Sequence, residues 1–433
     1  MIAKMVIDKK REGHALGTSE IREFIDGFTK GSIPDYQMSA LAMAICCRGM
    51  TPRETADLTE AMKNSGRCLT WDVPTADKHS TGGVGDKLSL VIQPLAAACG
   101  VSVPSLTGRG LGITGGTADK METIPGYSCA QSIDRFQEIV KTVGVSLSVQ
   151  TDDITPADKK LYALRDVTGT VASIPLIVGS ILSKKLAEGA ETLVFDVKFG
   201  KGAFMKSESE AAELAQALVD GAKAAGRKAA ALVTDMNAPL GFAVGNANEV
   251  VEAMKWLRAD VDLLAHTPEL GLCVEFAARM VSLTKDMSLS AATELAQQRL
   301  LDGSAFAKFE EMVIAHGGDL ARFEKLLSHP TFKFKIQAMR SGYVSEIDAE
   351  KTAKVALMLG AGRQQAGDRI DPLAGVTLAV RIGDRVAVGQ PLATLERSVD
   401  PEGLEAAAAE LYKAFQIVAQ PPESAPLVRQ RIV

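Results

Sequence analysis

The chain has 433 residues, a length that predicts about three domains or lobes and allows a large core without disulfides or structural metals. Its 48 basic and 53 acidic residues give a net charge of −5, which excludes a protein dedicated to nucleic acid or to an anionic membrane. The charged N-terminal stretch has no apolar signal segment, and the six cysteines form no Cys-x-x-Cys pair. We therefore expect a cytoplasmic protein that binds neither nucleic acid nor membrane.

Residues 1–65 have the pattern of helices. Apolar side chains recur with helical spacing from Ile21 to Phe28. The sequence Thr-Pro-Arg-Glu at 51–54 is a capping box with proline at the first helical position. This segment predicts the first part of an all-helical lobe.

Short apolar stretches alternate with alanine-rich helices at 70–152 and again at 189–335. This alternation predicts a parallel-rich sheet covered by helices, a larger α/β lobe built from two separate parts of the chain. Between them, residues 153–188 are predicted to form the second part of the helical lobe, which begins with a Thr155 cap and Pro156 at the first helical position and is helical through Lys185. The expected strands are 101–106, 143–149, 193–197 and 229–233.

After residue 335 short apolar runs are separated by turn residues, which predicts a C-terminal α+β module at 336–433. Its pattern resembles the hammerhead or barrel-sandwich module of biotinyl and lipoyl carriers. A carrier needs an acceptor lysine at a hairpin tip, and the turn at 383–385 (Gly-Asp-Arg) offers none. We predict a structural role for this module and an α/β fold class for the two-lobed chain.

Two glycine-rich loops carry groups suited to phosphate. In the first, at 77–89, glycines let backbone N–H groups approach an anion, and Lys78, Ser80 and Ser89 add a charge and hydroxyl donors. The second, at 107–117, follows a predicted strand; its match to the dinucleotide pattern is weak because it lies far inside the chain. Ligands of parallel sheets gather at the carboxyl ends of strands, so we expect both loops to hold one phosphate.

A third set of polar residues lies in the second helical segment. Ser180 and Lys184 are four residues apart, which places them on one helix face, and Arg165 precedes them. Such donors stabilise negative charge on carbonyl oxygens, as a leaving group that departs as an anion requires. A solvated basic helix end gives the same pattern, so these residues alone leave both interpretations open.

Taken together, the motifs of this chain resemble those of the thymidine/pyrimidine-nucleoside phosphorylase family. They lie at 78–86, 108–117, 156–159, 162–166, 183–185, 196–198, 202–205, 235–237, 245–247, 340–344 and 360–363. The resemblance implies nucleoside salvage by reversible phosphorolysis of thymidine, deoxyuridine and uridine to the free pyrimidine base and a (deoxy)ribose 1-phosphate. It also implies a pentosyltransferase that is a homodimer, with inorganic phosphate as co-substrate and no organic cofactor.

The resemblance further implies roles for particular residues. His79, Arg165 and Lys184 would be catalytic, with His79 hydrogen-bonding or protonating the leaving base. Tyr162, Arg165, Ser180 and Lys184 would bind the pyrimidine. The residues implied to bind phosphate are Lys78, Ser80, Ser89, Thr107 and Thr117.

A monovalent cation, typically potassium, is also implied by the resemblance. The matching positions are Gly85, Lys87, Leu240, Ala243 and Glu252. The ammonium of Lys87 cannot ligate a cation, so only its backbone carbonyl could serve. A second departure is Ile113, where the family commonly has histidine beside the phosphate loop.

Alternatives to the broad pyrimidine-nucleoside phosphorylase stay open. One is a thymidine-restricted phosphorylase, although the sequences at 161–170 and 239–242 look more like the broad branch. Anthranilate-type phosphoribosyltransferases resemble this family in fold but use magnesium and phosphoribosyl pyrophosphate, and the motifs at 162–166 and 183–185 argue against them. The last is a non-catalytic nucleoside-binding protein, against which the complete set of His79, Arg165, Ser180 and Lys184 argues.

Overall fold

The computed structural model describes residues 2–110, 115–363 and 368–433. The helices are α1 (Ala3–Arg11), α2 (Thr18–Thr29), α3 (Asp35–Arg48), α4 (Pro52–Lys63), α5 (Leu88–Ala98), α6 (Thr117–Met121), α7 (Ile133–Val143), α8 (Pro156–Thr168), α9 (Ile174–Ala187), α10 (Glu208–Ala224), α11 (Ala247–Leu257), α12 (Val261–His266), α13 (Pro268–Lys285), α14 (Leu289–Leu301), α15 (Ser304–Ala315), α16 (Leu320–Leu327), α17 (Ala349–Leu359) and α18 (Leu404–Tyr412). The strands are β1 (Ala76–Ser80), β2 (Val103–Thr107), β3 (Val145–Val149), β4 (Thr192–Phe199), β5 (Lys228–Asp235), β6 (Ala243–Gly245), β7 (Phe332–Gln337), β8 (Gly342–Ile347), β9 (Gly375–Leu378), β10 (Arg385–Val386), β11 (Pro391–Arg397), β12 (Phe415–Val418) and β13 (Val428–Ile432).

The helical lobe consists of α1–α4 together with α8 and α9, whose apolar faces share one core. The second helical segment is two helices and not one, because Gly169 ends α8 in the left-handed conformation (φ 67°) that glycine adopts without strain. Thr155 precedes α8, but its side chain makes no cap; its hydroxyl accepts a hydrogen bond from Gln150. The capping box at 51–54 is confirmed.

Glu54 is a buried charge that ties three parts of the helical lobe together. Its carboxylate accepts hydrogen bonds from Lys10 Nζ (2.8 Å), the Leu16 N–H (2.8 Å) and the Thr51 N–H (2.8 Å). Burial alone would raise the pKa of this carboxyl, but these donors lower it from 4.5 to about 2. Its contribution to stability is therefore complete above pH 4.5, where the unfolded carboxyl is ionised, and is lost as the pH falls towards 2.

We expect Glu54→Gln to lower the free energy of unfolding by about 3–5 kcal/mol at neutral pH, because Lys10 loses its buried partner. The variant should also lose stability less steeply than the parent between pH 4.5 and 2. Chemical denaturation at several pH values measures both effects. Glu60→Gln, at an exposed pair with Lys63, is the control and should change stability by less than about 0.5 kcal/mol.

The α/β lobe contains a central sheet of order β1-β4-β5-β13 in which β1, β4 and β5 are parallel. Strands β2 and β3 form a parallel pair beside it, linked by a bridge between Thr75 and Ser102. All four predicted strands are present within two residues of their expected ends. Helices α5 and α13 pack on β1 in the largest core of the chain. Among the described residues no helix is long and apolar enough to cross a membrane.

The C-terminal module has two antiparallel sheets, of order β6-β9-β11-β7 and β10-β8-β12, packed with α17 and α18. Strand β7 straddles the predicted boundary at 336, and two further strand pairings cross it. Strand β6 from the α/β part joins β9, and the last strand, β13, returns to pair antiparallel with β5. The module is therefore joined to the α/β lobe through the backbone hydrogen bonds of both pairings.

Candidate active site

Lysines and carboxylates from separate elements meet at the carboxyl edge of the central sheet. We call Lys78, Asp86, Lys120, Asp196 and Lys198 the phosphate-side cluster. Lys78 Nζ is fully buried, 3.1 Å from Asp196 Oδ2, and Lys198 Nζ donates to the same oxygen at 2.9 Å. Lys120 Nζ donates to the Asp86 carbonyl at 2.9 Å, which ties α6 to the first glycine loop. The cluster thus holds three cations in place before any anion binds.

The pKa directions within the cluster agree with this charge state. Burial opposes ionisation of Asp86, but the positive charges of Lys198, Lys78 and Lys120 hold the pKa of its carboxyl well below the usual range. Burial likewise opposes the charge of Lys78, yet Asp196 and Asp86 raise its pKa above the ordinary value. Lys78 is therefore a permanent cation at neutral pH.

Three of the five predicted phosphate residues lie together. Lys78 Nζ donates to Ser89 Oγ at 3.4 Å, while Ser80 Oγ donates to Asp86 Oδ2 at 2.7 Å and accepts the Gly82 N–H at 3.1 Å. Thr107 ends β2 and Thr117 begins α6, where the Ala118 N–H donates to the Gly108 carbonyl and brings the two ends of the second loop together. Ile113, in the middle of that loop, lies outside the described residues.

Tyr162, Ser180 and Lys184 form a second group, which we call the base-side cluster. Lys184 Nζ donates to Ser180 Oγ at 2.9 Å and lies 5.9 Å from the centre of the Tyr162 ring. It also donates to the buried Asp158 at 2.5 Å. Asp158 was not among the predicted site residues, although it lies in the 156–159 motif. Its carboxylate holds the ammonium against Ser180.

Arg165 lies deeper than the sequence alone suggests. Its side chain is fully buried, and the guanidinium donates to the carbonyls of Thr170 (3.1 Å), Val171 (2.7 Å) and Leu176 (2.9 Å). It thereby fixes the loop between α8 and α9. Each terminal nitrogen carries a second N–H that these bonds do not use. A contact between Arg165 and a base stays a prediction.

His79 lies on β1, between Lys78 and Ser80 of the first glycine loop. Burial lowers the pKa of its imidazole well below the ordinary value, and the positive charges of Lys185, Lys184 and Lys78 lower it further. The imidazole is therefore neutral at pH 7. In the ligand-free protein it can therefore donate one N–H to a ligand.

The residues predicted to bind a monovalent cation do not fit one in this chain. Lys87 Nζ donates to the carbonyls of Leu240 (2.6 Å) and Ala243 (3.0 Å) and to Glu252 Oε2 (2.9 Å). The ammonium thus lies among the oxygens that were expected to ligate potassium. In the described part of the chain, no cluster of three or more His, Cys, Asp or Glu side chains could hold a metal ion either.

The fold and the two clusters define a glycosyltransferase built from a helical bundle and an α/β domain. Residues 4–66 match the family described as "Glycosyl transferase family, helical bundle domain", and residues 72–306 match "Glycosyl transferase family, a/b domain". Residues 343–418 match "Pyrimidine nucleoside phosphorylase C-terminal domain". The chain belongs to the family of pyrimidine-nucleoside and thymidine phosphorylases, as its motifs predicted.

Curated relatives match this chain from end to end. It is 44% identical to "Pyrimidine-nucleoside phosphorylase" of Geobacillus stearothermophilus over 99% of both chains. It is 43% identical to "Thymidine phosphorylase" of Mesorhizobium japonicum over 100% of this chain and 99% of the relative. Anthranilate phosphoribosyltransferase from Thermus thermophilus has a similar fold, with a TM-score of 0.58 and 21% identity, covering 72% of this chain and 99% of that structure. The predicted fold class is confirmed.

Proposed function

We propose that this chain is a pyrimidine-nucleoside phosphorylase that cleaves thymidine, deoxyuridine and uridine with inorganic phosphate. The observation that carries the proposal is the buried ion pair between Lys185 Nζ of α9 and Asp77 Oδ2 of β1 (2.5 Å), which brings the helix that bears Ser180 and Lys184 against the strand that bears Lys78 and His79. A nucleoside between the clusters would present its sugar to phosphate and its base to Lys184. The fold it shares with an anthranilate phosphoribosyltransferase does not by itself favour that chemistry.

The chemistry needs no nucleophile from the protein. A phosphate oxygen bonds to C1′ as the bond between C1′ and N1 of the base breaks, and the electron pair goes to the base. The sugar becomes positive and the base negative in the transition state, so Lys184 and Arg165 stabilise charge that develops on the base carbonyls. The proton that phosphate loses is the proton that the released base gains. Lys78, Ser80 and Ser89 hold the phosphate that attacks.

In this proposal His79 acts as a neutral hydrogen-bond donor to the base. Its N–H stabilises the developing charge without proton transfer from an imidazolium, because burial and the surrounding lysines keep the ring neutral. The folded pKa lies below the unfolded value of about 6.5. The unfolded chain therefore takes up a proton at this residue as the pH falls below that value, and His79 costs stability there.

We expect the His79 ring to show no titration between about pH 6 and 8 in the folded, ligand-free protein. Nuclear magnetic resonance on histidine-labelled protein would follow the ring signals, and His79→Gln would identify the signal that belongs to this residue. The urea-unfolded chain, in which histidines titrate near about 6.5, is the control. A folded-state midpoint at or above that value would contradict a neutral donor.

Closure of the helical lobe onto the α/β lobe would exclude water and favour phosphorolysis over hydrolysis. We expect small-angle scattering to show a smaller radius of gyration when phosphate and a non-cleavable nucleoside analogue are both bound. Phosphate alone is the matched control, since it contacts one lobe only. An unchanged radius with both ligands would count against closure.

The function is tested by phosphate-dependent release of base from thymidine, deoxyuridine and uridine. Turnover of all three is expected. Turnover of the deoxynucleosides alone would restrict the enzyme to the thymidine branch. Nucleoside binding without turnover would indicate a non-catalytic protein, and activity on anthranilate with phosphoribosyl pyrophosphate and magnesium would indicate the phosphoribosyltransferase instead.

The assembly is proposed to be a homodimer that pairs through the helical lobe. Met5 on α1, Tyr36 and Met43 on α3 and Val167 on α8 are exposed apolar side chains that a second copy would cover. Light scattering should give twice the chain mass, and the double variant Tyr36→Lys with Met43→Lys should give a monomer.

The proposed cytoplasmic location agrees with the state of the six cysteines, all of which are free.

A further inference from the structure

We propose that Lys87 serves as a built-in monovalent cation, so that the folded enzyme and its phosphate site do not depend on potassium. Lys87 lies in the first glycine loop, directly before α5, and its partners lie more than 150 residues further along the chain. The ammonium carries the same charge as a potassium ion. It differs in being covalently attached, so it is bound at any salt concentration.

The ammonium is fully satisfied where it lies. A lysine ammonium has three N–H donors, and Lys87 has three acceptors: the carbonyls of Leu240 and Ala243 and the carboxylate of Glu252. Its side chain is fully buried, and the nitrogen lies 5.3 Å from the centre of the Trp256 ring. A metal ion at this position would have to displace the ammonium from every one of these oxygens.

The same contacts join the first glycine loop to the segment that follows β5. Gly85 packs so closely on this segment that a Cβ there would lie 2.7 Å from the Leu240 carbonyl oxygen. The Leu240 N–H donates to the Val84 carbonyl at 3.0 Å, and Glu252 accepts the Phe242 and Ala243 N–H groups. Lys87 neutralises Glu252 and completes this junction one residue after Asp86 of the phosphate-side cluster.

Lys87 is accordingly a positioning residue that acts through the loop. Without its charge, a largely buried carboxylate and two backbone carbonyls lose their shared donor, and such groups are not left unpaired without cost. The loop that bears Ser80 and Asp86 would then lose contacts that hold it against the segment after β5. We expect the phosphate KM to change more than kcat, because the base-side cluster does not contact this junction.

The experiment compares the full-length enzyme with Lys87→Thr and with Lys87→Met. Its measurements of KM and kcat rest on the proposed function, whereas its measurement of Tm does not. The threonine variant opens space and adds an oxygen ligand; the methionine variant fills the space without a charge or an oxygen. Each protein is assayed at equal ionic strength in choline chloride, sodium chloride and potassium chloride. The phosphate KM, kcat and the thermal midpoint Tm are recorded for all three.

The parent enzyme should show the same phosphate KM and Tm in all three salts. Lys87→Thr should have a phosphate KM at least about tenfold higher in choline, the size of an ordinary coupling between sites, and potassium should restore it and raise Tm. Lys87→Met should have a raised phosphate KM and a lowered Tm in all three salts, and potassium should restore neither. If Lys87→Thr folds only in potassium chloride, that result supports the proposal as well.

Potassium activation of the parent enzyme would overturn the proposal. A Lys87→Thr variant whose Tm and phosphate KM do not change with potassium would overturn it too. If none of the nucleosides is cleaved by the parent, the proposed function fails, and the Tm comparison alone decides the role of Lys87. The two failures are therefore distinguishable.

Discussion

Lys78→Met is expected to lower kcat/KM for phosphate by about 10²–10³-fold, the loss seen when one preorganised charged or hydrogen-bonding group is removed from a site. Methionine has nearly the length of lysine but no charge, so the change removes the cation and leaves the shape. Asp196 keeps a partner, because Lys198 donates to the same oxygen at 2.9 Å. The site should therefore keep its structure while its affinity for phosphate falls.

Initial rates at varied phosphate and saturating thymidine measure this effect. Lys10→Met is the matched control, since it makes the same change in a buried ion pair of the helical lobe. It should reduce stability by about 3–5 kcal/mol and leave the phosphate KM unchanged. A Lys78→Met enzyme with the parent's phosphate KM would remove Lys78 from the phosphate site.

Lys184→Met is expected to lower kcat by about 10²–10³-fold with little change in the phosphate KM. The Lys184 side chain is 20% exposed, and its ammonium is held by Ser180 and Asp158. Its removal takes away the charge that balances the departing base. The rate with nucleosides of more acidic bases, such as 5-fluorouracil, should fall less than the rate with thymidine, because a more acidic base is more stable as an anion when it leaves.

A second effect of that variant has to be separated from the first. Without Lys184 the buried Asp158 loses the ammonium that pairs with it, which destabilises the fold independently of any substrate. The double variant with Asp158→Asn removes that carboxylate charge and should recover stability but not kcat. If the double variant recovers kcat as well, Lys184 acts by keeping the cluster folded and does not act on the base.

Much of the scaffold was predictable because its signals are local. The strand positions follow from short apolar runs, and the cap at 51–54 follows from four adjacent residues. The grouping of some polar side chains was predictable too, since Lys78, Ser80 and Ser89 lie within one loop and Ser180 and Lys184 on one helix turn. The break between α8 and α9 was missed because a single glycine, Gly169, ends the first helix.

Other features depend on contacts between distant parts of the chain, which no local pattern reveals. Lys87 contacts Leu240, Ala243 and Glu252 only in the folded chain. The sequence predicted that the Lys87 ammonium cannot ligate a cation, but it did not predict that this ammonium binds the oxygens expected to hold the cation. The lowered pKa of His79 likewise depends on burial first and then on the lysines of α9. Burial and long-range charge are properties of the assembled molecule.

The return of β13 to the central sheet has a consequence for how the protein is made. During synthesis the edge of β5 emerges long before its partner, because Ala231 pairs with Ile432. Until residues 428–432 have been translated, that edge is an open template to which another nascent chain could pair. A chain truncated before residue 428 would contain both clusters and leave this edge bare. Synthesis of β13 is thus the step that closes this edge of the sheet to aggregation.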